Sequence, residues 1–99
     1  MERSVYEIRL QTPMGIKRGL AAIAREVGCV TAELELFGQR HRFTGGSGRL
    51  EGTLHTALGS IPCVLQGNFS PEGVEAVLQT EQGAFPLTGV PAGEGRDLK

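Results

Sequence analysis

Few side chains in this 99-residue chain are equipped for chemistry: His41, His55, Cys29, Cys63 and Lys17. Cys63 and His41 would serve as nucleophile and base if their side chains met. No Asn or Asp lies nearby in the sequence to orient the imidazole, so His41 is expected as a half-buried side chain with a threonine or backbone partner. Cys63 is expected as a small hydrophobe. Positions 29, 41, 55 and 63 have no metal-ligand spacing, so no metal, no cofactor and no catalytic residue is assigned. Gly45-Gly46-Ser47-Gly48 is glycine-rich, but Arg49-Leu50-Glu51-Gly52-Thr53-Leu54 after it reads as a strand, whereas a phosphate cradle needs a helix N-terminus there.

The elements that must carry these residues follow from a repeating phrase. The segments ending at Gly15, Gly59 and Gly83 read Y-E-I-R-L-Q-T-P-M-G, L-E-G-T-L-H-T-A-L-G and V-E-A-V-L-Q-T-E-Q-G, and a shorter copy, V-T-A-E-L-E-L-F-G, ends at Gly38. Apolar and polar residues alternate in each, the period of a strand with one buried face. A second stretch follows each glycine, so each unit is a hairpin and four units make eight strands. Residues 16–27 also fit a helix, with Ile16, Leu20, Ile23 and Val27 at helical spacing. The equivalent stretches of the other units read as strands, and the repeat carries this one with them.

Two-residue x-Gly turns at Met14-Gly15, Phe37-Gly38, Leu58-Gly59 and Gln82-Gly83 set the register. Glu33 then faces Arg42, Glu35 faces Arg40, Thr12 faces Lys17, Leu54 faces Cys63, and Thr80 faces Phe85. One apolar face runs through all eight strands. The predicted fold is all-β: an eight-stranded antiparallel up-and-down (meander) barrel of four β-hairpin repeats over residues 1–90, with a flexible polar tail at 91–99. This architecture resembles the calycin group of lipocalins, avidins and fatty-acid-binding proteins. The phrases Thr12-Pro13-Met14-Gly15, Phe43-Thr44-Gly45-Gly46 and Phe85-Pro86-Leu87-Thr88-Gly89 are similar to those of small uncharacterised bacterial β-barrel proteins. The lipocalin G-x-W signature is absent, because the chain has no Trp.

The inward layers suggest one function. Five of eight positions in the layer Ile8, Ala21, Ala32, Phe43, Gly52, Leu65, Ala76 and Gly89 are Gly or Ala, leaving either a tapered solid core or a cavity. A cavity would bind a small apolar or weakly anionic molecule, with Thr12, Lys17, Gln39, His41, Thr56, Cys63, Thr80 and Phe85 as contacts. The other function classes are a solid structural or interaction module and, less favoured, a cyclase- or isomerase-type enzyme with His41 as base. The outward face of the first hairpin, with Val5, Ile16, Leu20, Ala22 and Ala24, is apolar enough to predict a homodimer.

Composition narrows the field further. A net charge of −1 removes the bulk electrostatic case for a nucleic-acid partner. The charge is uneven: residues 1–49 carry eight Lys/Arg against five Glu, and residues 50–99 carry two against six acidic residues. No apolar run approaches the roughly 18 residues of a bilayer span. MERSVYEIRL lacks the apolar core of a secretory signal, and two cysteines are too few for a disulfide scaffold, so a cytoplasmic setting is expected.

Overall fold

A computed structural model describes residues 2–46, 48–57, 59–93 and 95–98. Eight strands run β1 (Glu2–Thr12), β2 (Gly15–Glu26), β3 (Cys29–Leu36), β4 (Gln39–Gly46), β5 (Arg49–Thr56), β6 (Gly59–Ser70), β7 (Gly73–Thr80) and β8 (Gly83–Pro91). Each pairs antiparallel with its sequence neighbours, and β8 returns to β1, closing an up-and-down barrel. Residues 16–26 are strand: the alternation of Lys17, Gly19, Ala21 and Ile23 inward with Ile16, Arg18, Leu20 and Ala22 outward outweighs their helical propensity.

The β3–β4 hairpin turns on Phe37-Gly38 as expected, and Glu33 faces Arg42 while Glu35 faces Arg40. Both turn residues have positive φ, 57° and 72°, the signature of a two-residue turn whose twist matches its strands. The other three glycine-ended phrases turn one residue earlier. Thr12 faces Gly15, Thr56 faces Gly59, and Thr80 faces Gly83, so Lys17 moves opposite Leu10, Cys63 opposite Gly52, and Phe85 opposite Leu78. Of the residues in those expected turns, Leu58 lies outside the described residues, as does Ser47 of the glycine-rich connection.

The hydroxyls explain the earlier turn. Thr12 Oγ1 donates to the Gly15 carbonyl at 2.7 Å and accepts from Met14 N–H at 3.2 Å. Thr80 repeats both bonds, to Gly83 and from Gln82, and Thr56 donates to Gly59 at 3.0 Å. Ser70-Pro71-Glu72-Gly73 at the opposite end does the same. Ser/Thr-x-x-Gly is therefore the turn unit, with the side chain spanning the turn and the glycine starting the next strand, at a positive φ in the three threonine turns (110° at Gly15).

A two-residue slip preserves which face each side chain takes, so the expected interior is the observed one. Tyr6, Ile8, Leu10, Leu34, Leu36, Phe43, Leu50, Leu65, Leu78 and Leu87 are all at most 2% exposed. Small inward residues sit where neighbours crowd them. A Cβ on Gly52 would stand 2.8 Å from the Phe43 ring and collide with the Arg42 carbonyl, and one on Gly89 would stand 3.0 Å from Ile8 Cγ2. Tyr6 closes the base, donating its hydroxyl to the Ser70 carbonyl at 2.6 Å.

The barrel is not uniformly paired. The β2–β3 ladder begins at Leu20↔Glu35, so Gly15–Gly19 pair with β1 alone. The β1–β8 ladder stops at Leu10↔Leu87, one position short of Pro86, which has no N–H to offer. The first hairpin thus projects past the barrel rim.

Candidate functional site

The rim residues expected to greet a ligand are occupied in other ways. The hydroxyls of Thr12, Thr56 and Thr80 are committed to their turns. Gln39 is exposed at the head of β4, Lys17 is half-buried on the projecting hairpin, and Phe85 packs against the core from its half-buried position. Cys63 is 5% exposed, its thiol donates to the Ile61 carbonyl at 3.3 Å, and burial pushes its pKa up, away from the reactive thiolate.

His41 is fully buried and serves the backbone. Its Nδ1 accepts the N–H of His55 at 2.9 Å, so the proton resides on Nε2, which donates to the Leu36 carbonyl at 2.9 Å. The β4–β5 ladder runs only from Gly46↔Arg49 to Phe43↔Gly52. Beyond that point the imidazole supplies the link between the two strands. Phe37 meets the ring edge-on at 6.2 Å between centroids, and His55 stacks on it at 5.8 Å. Burial lowers the His41 pKa, partly opposed by the Leu36 hydrogen bond and reinforced by the nearby His55 charge. His41 and Cys63 therefore make separate backbone contacts and form no nucleophile–base pair. His55 is exposed, with Nδ1 3.2 Å from Ser60 Oγ.

The outer face of the first hairpin differs from the sequence expectation in a useful way. Val5, Leu20 and Ala24 are half-buried, and Ala22, although it points outward, is only 6% exposed. The chain's own C-terminal segment supplies cover. Ala92 N–H donates to the Val5 carbonyl at 2.9 Å, Arg3 grips Asp97 through two hydrogen bonds of 3.0 and 2.6 Å, and Arg96 lies 3.4 Å from Glu7. The Arg3 guanidinium holds the Asp97 carboxyl below the usual range. The sequence carries no apolar signal for this strap, because its anchors Arg96 and Asp97 are charged. Of the five expected interface residues, Ile16 alone is strongly exposed, at 55%.

Between the strap and the outer wall of β8, β1 and β2 lies a groove of about 880 Å³, lined by Arg9, Arg18, Thr88 and Leu20 and by the acidic Glu7, Glu35 and Asp97. The described residues contain no cluster of three or more His, Cys, Asp or Glu able to hold a metal, both cysteines are free thiols, and no helix is long and apolar enough to cross a membrane. Comparison with protein-family models, with curated proteins and with solved structures finds no match to this chain.

Proposed function

We propose that the protein acts through its exterior, as a solid-core β-barrel that associates with a second copy of itself, and that it is not an enzyme. One observation carries the reading: the inward glycines are pressed against their neighbours, at Gly52 by the Phe43 ring and at Gly89 by Ile8. This close packing weighs against a ligand in the barrel, the habit that the calycin resemblance would imply, because small side chains compensate large ones where a cavity would be.

The partner is argued from a stretch of strand that closure leaves open on one side, the start of β2; the starts of β4, β6 and β8 are likewise paired on one side only. Gly15–Gly19 present backbone N–H and C=O groups on the side away from β1, a ready template for another strand. A second copy offers the same edge, and two such edges meet antiparallel about a two-fold axis with no demand on side-chain chemistry. Met14 (85% exposed), Ile16 (55%) and Phe37 (42%) flank that edge and would be covered by the pairing. Of the outward apolar residues of the first hairpin, Ile16 is therefore central to the interface, since Leu20 is already half-buried. Sedimentation tests this. Wild type should be dimeric at micromolar concentration, and Ile16→Glu, an outward substitution that leaves the core intact, should be a folded monomer that still unfolds cooperatively. A monomeric wild type, or an Ile16→Glu variant that dimerises normally, refutes the proposal.

A further inference from the structure

We infer that the outer groove beside the C-terminal strap is a binding site for a dianionic phosphate group, held by Arg9 and Arg18. The register makes these residues direct partners: Arg9 faces Arg18 across the β1–β2 ladder, and Thr88 faces Arg9 across the β1–β8 ladder. All three side chains point outward, and all three line the groove.

Two like charges directly opposite one another on a sheet repel. Three other outward arginines do have acidic partners: Arg3 has Asp97, Arg96 has Glu7, and Arg40 has Glu33. Arg9 and Arg18 make no ion pair or hydrogen bond among the described residues, and neither does the Thr88 hydroxyl. Glu7, the acid nearest in sequence to Arg9, is drawn to Arg96 at 3.4 Å. The result is a row of hydroxyl, guanidinium and guanidinium across three strands without an ion pair of its own; the groove is also lined by Glu7, Asp97 and Glu35, of which Glu7 is held by Arg96 and Asp97 by Arg3. Directly opposite Cβ atoms stand about 4.5–5.5 Å apart, so both guanidiniums can converge on one anion. Two positive charges match a phosphate dianion better than a single carboxylate, and each guanidinium offers paired donors suited to phosphate oxygens. The groove volume of about 880 Å³ leaves room for the remainder of a small phosphate monoester, with Leu20 as an apolar floor.

The site lies within one chain, so the dimer proposal can fail without affecting it; Arg18 also lies on the Gly15–Gly19 edge, so pairing there would set a partner strand beside the groove. The experiment is a titration of the full chain, followed by amide and arginine Nε–H NMR signals, with inorganic phosphate and glycerol phosphate against acetate and chloride at matched ionic strength. Both phosphates should shift Arg9, Arg18 and Thr88 with saturation, and acetate should not. Arg9→Gln and Arg18→Gln should each weaken phosphate at least about tenfold, the effect of losing one charge-assisted contact. Because folding does not need the pair, Arg9→Gln should also melt no lower than wild type in phosphate-free, low-salt buffer. Equal responses to phosphate, acetate and chloride, shifts centred on Arg40 and Arg42, or full binding by both variants would overturn the assignment.

Discussion

Replacing His41 with Leu gives the most direct test of how the barrel is held shut between β4 and β5. The imidazole is fully buried and satisfies two backbone groups, the Leu36 carbonyl and the His55 N–H, each at 2.9 Å. Leucine fills similar space but bonds neither. A buried backbone group left without a partner costs about 1–3 kcal/mol, so the pair predicts a loss of about 2–6 kcal/mol. Domains of this size hold only about 5–15 kcal/mol in total. At about 4–8 °C per kcal/mol, the melting temperature should fall by at least about 8 °C. His41→Asn, whose carbonyl can accept the His55 N–H, should lose less than His41→Leu. Urea unfolding measures both. A His41→Leu protein within about 0.5 kcal/mol of wild type would refute the claim that the imidazole replaces the missing ladder.

The same geometry fixes a pH dependence. Protonating Nδ1 ejects the His55 hydrogen bond, and burial already lowers the folded pKa below the ordinary value of 6.5. As pH falls, the unfolded chain takes up its proton first, so acid favours unfolding. The His41 contribution is complete above about pH 6.5 and is lost as pH drops towards the folded pKa, at about 1.4 kcal/mol for each unit of depression. The corresponding part of the slope should vanish in His41→Leu.

Two further substitutions probe the packing and the turns. Gly52→Ala should destabilise by about 1–3 kcal/mol in urea unfolding, because its Cβ meets the Phe43 ring and the Arg42 carbonyl; a neutral effect would mean that the interior has slack. Thr80→Val keeps the β-branched shape but removes the hydroxyl bonds to Gly83 and Gln82, so it should cost about 0.5–1.5 kcal/mol, while Thr80→Ser should keep most of that.

Much of the barrel was legible because side-chain direction in a strand has only two values. Alternation over eight short segments assigned an inward face, and its apolar core, Tyr6, Phe43, Leu65 and Leu87 among it, is buried in the structure, while the rim residues Lys17 and Gln39 are half-buried and exposed. The turn chemistry was not legible in the same way. Phe37-Gly38 makes a turn of two positive-φ residues, whereas Thr12-Pro13-Met14-Gly15 uses a threonine hydroxyl to bridge two turn residues and starts the next strand at its glycine. Both look like x-Gly in the sequence. Only the Thr three residues before the glycine, or the Pro at the first turn position, separates them.

That ambiguity is harmless inside the barrel and decisive outside it. A slip by two residues exchanges one apolar inward partner for another, Leu54 facing Ile61 in place of Cys63, and the core composition is unchanged. On the outer wall the same slip changes which charges meet. With the turn at Met14-Gly15, Arg9 would face Leu20 and Arg18 would face Gln11, an unremarkable pair of contacts. With the turn at Pro13-Met14, Arg9 faces Arg18, and two cations with no ion pair of their own share one row in a groove. The apolar pattern that specifies the fold is therefore insensitive to the very detail that specifies the surface. A core of interchangeable Leu, Ile and Ala tolerates either register, and it is the Thr12 hydroxyl, through its bonds to Gly15 and Met14, that selects the one in which the arginines meet.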